Sequence, residues 1–172
     1  MRSLVMLRHG KSDWNADDGG DDRRRPLAAR GQRAARLAGR FVAVSGQVPE
    51  RVLVSPAVRA QQTLDLAIRA GRWECDVSIC DGLYGGVDDV LDAVRRHGGD
   101  AEVLMIVGHE PAWSAAASRL ANGAALRLPT ASLLRLDFGA DDWAAVRGNG
   151  SVQWLVTPRL LGKLFSQLEP DH

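Results

Sequence analysis

Cysteine is nearly absent. The 172-residue chain has two, Cys75 and Cys80, and their spacing fits neither a zinc motif nor a thioredoxin-type pair. A disulfide framework is therefore not what organises the chain, and two ordinary thiols suit a reducing compartment. An excess of charge is also lacking: 22 basic and 21 acidic side chains leave a net charge of +1. That balance gives no overall pull toward nucleic acid or a membrane surface. No apolar run is long enough to span a bilayer. The apolar N-terminal stretch is too short for a secretory leader, and charge follows it at once. The expected address is the cytoplasm. No internal repeat and no Pro/Ser-rich linker interrupts the chain, so residues 1–172 are expected to form one domain.

What is present is an ordinary globular composition, 45% hydrophobic and 25% charged, enough for a core without staples. Apolar runs alternate with helical patterns. Strands are expected at 3–7, 51–55 and 102–108, and a later pair at 132–138 and 152–156. Between Ala28 and Val44, residues Ala34, Leu37, Ala38, Phe41 and Val42 recur at helical spacing. Residues 57–70 read as a helix closed by Gly71. Val87, Val90, Leu91 and Val94 mark a third helix, ended by Gly98 and Gly99. A shorter helix follows Pro111 and ends by Asn122 or Gly123, and a last one falls near 160–168. Early strands spaced by helices predict an α/β fold with a mainly parallel sheet, the late pair being open to antiparallel pairing. The polar segment "NADDGGDDRRRP" (15–26) reads as an exposed loop inside the domain.

Ligands of such sheets bind beyond the carboxyl ends of the strands. The first strand runs into Arg8-His9-Gly10, the second into Ser55-Pro56 with Arg59 three residues on, the third into Gly108-His109-Glu110-Pro111. A parallel sheet would bring two histidines and two arginines together. Arginine supplies planar, multidentate, permanently charged donors for a phosphoryl group. A neutral imidazole is a competent nucleophile near neutral pH. If His9 attacks phosphorus, Arg8, Arg59 and His109 could stabilise the charge on the equatorial oxygens. Gly10, with no Cβ, is expected to let the backbone approach the phosphate closely. Taken singly, each of these residues has a plain structural explanation as a cap or a solvated helix position; the joint placement at three strand ends carries the argument.

"LRHGKSDWN" (7–15), "RVLVSPAVRAQQT" (51–63) and "VLMIVGHEP" (103–111) resemble the three signature blocks of the histidine phosphatase superfamily, shared with cofactor-dependent phosphoglycerate mutases. "RRPLAARGQRAA" (24–35) is similar to the short-chain branch typified by the phosphohistidine phosphatase SixA. The resemblance implies a three-layer phosphoglycerate mutase-like fold. It implies His9 as the phosphorylated nucleophile, Arg8 and Arg59 as phosphoryl ligands, and His109 completing the pocket. Ser12 and Asn15 occupy positions that contact substrate in some relatives. Neither a metal nor another cofactor is expected. Many relatives carry a catalytic carboxylate between the second and third blocks. In "ICDGLYGGVDD" (79–89) Gly82 falls where a Glu would stand. Asp81 beside it is the candidate acid, while Asp88 and Asp89 look like a helix start.

A site without its own acid suits phosphohistidine better than an alkyl phosphate, because imidazole leaves more easily than alkoxide. The short chain leaves no room for a large cap, so a phosphorylated protein surface could reach the pocket. The leading expectation is a metal-independent phosphatase acting on phosphohistidine or another phosphoprotein. The alternatives are a small-molecule phosphomonoesterase, and a phosphate-binding regulatory module with poor turnover. A mutase, and a metallohydrolase built on His9, Asp13 and His109, fit less well. The tryptophans are too scattered for a nucleic-acid stacking platform, and Trp14 and Trp113 are expected at the pocket mouth. "DRRR" (22–25) reads as a solvated loop rather than an acidic-substrate patch. His97 reads as a helix-end cap, and His172 carries no signal.

Overall fold

The structure is a computed structural model that describes residues 1–168, so His172 lies outside it. One six-stranded sheet is formed by β1 (Arg2–Arg8), β2 (Arg51–Val54), β3 (Asp76–Ile79), β4 (Val103–Gly108), β5 (Leu133–Phe138) and β6 (Ser151–Val156). Its strand order is β3-β2-β4-β1-β5-β6. β3, β2, β4 and β1 run parallel, and β5 is antiparallel to both β1 and β6. The helices are α1 (Ala29–Val44), α2 (Val58–Gly71), α3 (Val87–His97), α4 (Ala112–Leu120) and α5 (Pro158–Leu168).

The layering follows from the period of two in a strand. In β1, Leu4 and Met6 face one core with Leu53, Leu104, Ile106 and residues of α3 and α4. Val5 and Leu7 face the other with Val52, Val54, Met105, Val107 and residues of α1, α2 and α5. Both faces are covered, which is why the central strands read as continuous apolar runs and not as alternating ones. α1 and α2 approach closely at Gly39, where an added Cβ would lie 2.0 Å from the carbonyl oxygen of Ala67.

Four details depart from the sequence reading. β3 is a short edge strand exposed along its whole length, so it carries no burial pattern to betray it. Gly71 lies in the last turn of α2, and Arg72, at φ 55°, is the left-handed cap. Gly71 is small for another reason: a Cβ there would meet the Trp73 indole, which donates to the carbonyl of Gly39 at 3.1 Å. Trp113 is fully buried in the core between the sheet and α4, not at a pocket mouth. Its position is set by Gly108, whose missing Cβ leaves room for the indole.

Gly10 is the fourth. A Cβ on it would lie 2.7 Å from the carbonyl oxygen of Gly31, and a Cβ on Gly31 would lie 2.2 Å from that of Lys11. The two glycines let the start of α1 dock directly on the segment that follows His9. The close approach is backbone to helix, where backbone to phosphate was expected. By helix propensity alone, Gly31→Ala should stabilise α1 by about 1 kcal/mol. The docking predicts the opposite sign, a loss of about 1–3 kcal/mol, measured as a lower urea midpoint at unchanged slope.

Candidate active site

The parallel register places Arg8 opposite Gly108. The next residues, His9 and His109, therefore emerge side by side. The His9 amide donates to the Gly108 carbonyl at 3.0 Å, and the two imidazole centroids are 5.0 Å apart. β2 ends level with them, the Ser55 amide donating to the Val107 carbonyl at 3.0 Å. Arg59 enters from the first turn of α2. A cavity of about 420 Å³ is lined by Arg8, His9, Ser12, Arg59 and His109, together with Trp14 at its rim.

The tautomer of His9 follows from its neighbour. Nδ1 lies 2.6 Å from the carbonyl oxygen of Gly10, and a carbonyl can only accept. Nδ1 therefore carries the proton, and Nε2 keeps its lone pair. Burial lowers the His9 pKa to about 4; the hydrogen bond to Gly10 opposes this, and the charges of Arg59, Arg8 and Arg25 reinforce it. His109 is lowered to about 3, by burial first and then by His9 and Arg59. Both rings are thus neutral near pH 7. His109 Nε2 and Ser55 Oγ share a hydrogen bond of 2.6 Å, and Ser55 Oγ also accepts from the Ala57 amide at 3.3 Å. With Ser55 donating its hydroxyl proton to Nε2, Nδ1 of His109 carries the N–H.

Three buried nitrogens here have no hydrogen-bond partner: Arg8 Nε, Arg59 Nε and His109 Nδ1. Buried unpaired polar groups are uncommon, and these three belong to residues that line the same cavity. Arg59 is pinned through both Nη atoms and Arg8 through one. Arg8 Nη1 donates to the Leu128 carbonyl at 2.8 Å. Arg59 donates from Nη1 to the Asp22 carbonyl at 2.6 Å and from Nη2 to the Asp22 carboxylate at 2.8 Å. Thr63 ties the loop to the helix, its hydroxyl accepting from the Gly10 amide at 3.0 Å and donating to the Arg59 carbonyl at 2.7 Å. Gln62 accepts from the Leu27 amide at 2.8 Å. The Gln-Thr pair of the second block is thus a clamp.

The other residues marked out in the sequence fall variously. Ser12 is buried and its hydroxyl accepts from Arg25 Nε at 3.3 Å, so it positions an arginine. Asn15 is exposed and lines none of the site's cavity; its amide donates to Asp13 Oδ1 at 2.9 Å. Asp81 is not brought to the histidines. It is exposed, at the start of a 3-10 turn (Asp81–Tyr84), and lines a separate cavity with Arg51, Cys80 and His97. The turn directs Tyr84, three residues on, toward the site: its ring packs edge-on against His109 at 5.3 Å, and its hydroxyl donates to Asp22 at 2.7 Å. Among the described residues, no three His, Cys, Asp or Glu side chains are grouped so as to hold a metal ion.

Three contributors come from stretches read as solvent or passed over. Arg25, in the loop expected to be exposed, is 7% exposed. It pairs with Asp22 at 2.6 Å and stacks 3.5 Å from the centroid of Trp14. Asp22 bridges Arg25, Arg59 and Tyr84. Its burial works to raise its pKa, but the hydrogen bonds from Tyr84 and Arg59 and the two arginine charges win and hold it well below the usual carboxylate range. Glu110 lines the cavity, its carboxylate accepting from the amide and hydroxyl of Ser114. The signal for Asp22 and Arg25 in the sequence is faint: an aspartate and an arginine shortly before Pro26, in a stretch with the composition of an exposed loop.

This arrangement defines the class. Residues 4–85 match the model of the histidine phosphatase superfamily, branch 1. An uncharacterized protein of Mycobacterium tuberculosis is 38% identical over 117 residues, 67% of this chain and 70% of that protein. A 2,3-bisphosphoglycerate-dependent phosphoglycerate mutase of Caulobacter vibrioides is 32% identical over 108 residues, 57% of this chain and 45% of that enzyme. The chain belongs to the histidine phosphatase superfamily. Its fold is that of the SixA-like branch: a candidate phosphohistidine phosphatase SixA of Nakamurella multipartitia matches with a TM-score of 0.78 at 29% identity, over 91% of this chain and 96% of that one. No helix among the described residues is long and apolar enough to cross a membrane.

The lowered imidazole pKa is directly measurable. In a nitrogen-15 NMR titration the His9 ring should change protonation near pH 4; a midpoint near 6.5 would contradict the buried, cation-flanked environment. The unfolded imidazoles protonate near pH 6.5 and the folded ones resist. Stability from this source is therefore present above pH 6.5 and falls as the pH drops toward 4.

Proposed function

We propose that the protein is a phosphatase that works through a phosphohistidine intermediate on His9, and that its substrate is phosphohistidine on a protein surface. The observation that supports this most is a His9 whose Nδ1 is committed to the Gly10 carbonyl, leaving Nε2 free, in one cavity with two arginines and a second imidazole, Arg8, Arg59 and His109. Nε2 would attack phosphorus while the bond from phosphorus to the leaving group breaks. The donors would hold the equatorial oxygens as charge spreads over them. Water would then attack the phosphorus on His9, releasing phosphate and returning the lone pair to Nε2.

The carboxylates at the site bear on the substrate. Asp22 is held ionised by two arginines and a tyrosine, which makes it a poor proton donor to a departing alkoxide. Glu110 is engaged by Ser114. Asp81 lies elsewhere. An imidazole leaving group needs less help, since its ring nitrogen not bound to phosphorus is basic enough to take up a proton before the bond breaks, so that neutral imidazole departs. Arg59 and Arg8 supply the fixed charges, so the scheme routes no step through a metal.

The test is phosphate release from a phosphohistidine protein and, in parallel, from p-nitrophenyl phosphate, with a chelator present. The expected result is faster release from the phosphohistidine protein, reduced at least about a thousandfold in His9→Ala. Release from the ester alone would keep His9 and move the substrate to small phosphomonoesters. Strict dependence on added metal would contradict the scheme. Binding of phosphate without release from either substrate would favour a regulatory phosphate-binding module.

A further inference from the structure

Beside the phosphoryl cavity lies a second one of about 320 Å³, and Lys11 and Thr130 line both. Its other polar walls are Arg30, Arg159 and Thr157. Lys11, Arg30 and Arg159 come from three places in the sequence: the segment after His9, the first turn of α1 and the first turn of α5. No Asp or Glu lines the cavity. None of the three cations forms an ion pair or a side-chain hydrogen bond among the described residues.

The three are exposed, whereas the arginines around His9 are pinned. Arg59 and Arg25 are held by Asp22, and Arg8 by Leu128. Three like charges around one concavity repel one another unless a negative group joins them. The cavity is also held at a fixed place relative to His9, because Gly31 docks the first turn of α1 on the Lys11 backbone. The other cavity adjoining the phosphoryl pocket is mixed in charge: Asp22 and Glu110 line it together with Arg59.

We infer that Lys11, Arg30 and Arg159 form a second anion subsite, which receives another anionic group, carboxylate or phosphoryl, of the same substrate molecule whose phosphoryl group sits at His9. The inference rests on the reading of the His9 cavity as the phosphoryl site. It adds a requirement that reading lacks: the substrate carries two anionic groups, not one. The group could belong to a doubly anionic small molecule or to an acidic side chain near a phosphohistidine, and the chemistry recognised is the same.

The experiment compares binding of inorganic phosphate with that of α,ω-alkanediol bisphosphates of two to four carbons, by NMR titration of the full chain. Phosphate should perturb the His9 and His109 rings. At least one bisphosphate should bind at least tenfold more tightly, well beyond the twofold expected from having two equivalent ends. The Arg30→Ala/Arg159→Ala double variant should lose that advantage while its affinity for inorganic phosphate stays unchanged. In a second arm, phosphohistidine peptides with glutamate or glutamine flanks are compared as substrates. A tenfold preference for glutamate that the double variant abolishes would assign the subsite to protein substrates. An advantage for the bisphosphate alone would assign it to small molecules. Equal affinities for phosphate and every bisphosphate, with no flank preference, would overturn the inference, as would an advantage that survives in the double variant. Failure of phosphate to perturb the histidines would instead overturn the underlying reading of the site.

Discussion

The parallel register between β1 and β4 is the constraint on which the rest depends. Pairing Arg8 with Gly108 sets His9 and His109 level at the ends of two central strands. A slip of one residue would turn Leu4 and Met6 into the wrong core and carry His9 away from its partner. Two cores, one on each face, forbid the slip. The separate register of β2 on β4, Val54 opposite Val107, fixes the depth at which β2 ends, and with it the distance from Ser55 to His109. Sheet topology thus builds the geometry of the site before any side-chain contact is considered.

Electrostatics follows from that placement. A buried and a half-buried imidazole sit beside a buried and a half-buried arginine, and each cation makes a second cation harder to form. The rings stay neutral, which keeps a lone pair on Nε2 of His9. The Gly10 carbonyl decides which nitrogen carries it. Asp22 balances part of the arginine charge without reaching the histidines, and so steadies Arg59 and Arg25. The same economy is missing on the side of Lys11, Arg30 and Arg159, and that contrast is what distinguishes the two flanks of the pocket.

Much of this was legible in the sequence. The central strands announce themselves by apolar runs bounded by chemistry-bearing residues, and Arg8, His9, Arg59 and His109 follow from where those runs stop. What was hidden depends on tertiary contact. β3 has no buried face to pattern it. Gly10 looks like a phosphate-approach glycine, yet the backbone of Gly31 is what occupies the space. Trp113 follows a site block in sequence, but the helix turns it inward. Asp81 is adjacent to the expected position of a catalytic acid, while the 3-10 turn directs Tyr84, and not Asp81, toward His109. Arg25 and Asp22 sit in a polar, glycine-containing segment with every mark of a solvated loop; only the fold reveals that they fasten on Arg59 and Ser12.

The central claim is that the nucleophile is Nε2 of His9, exposed because Nδ1 is committed to Gly10. Rapid quenching of a turnover reaction into base, which preserves phosphohistidine, followed by peptide mapping and phosphorus NMR, tests it most directly. The account predicts phosphate on residue 9, attached at Nε2. Phosphate on His109, or on Nδ1 of His9, or steady turnover with neither histidine ever labelled, would contradict it.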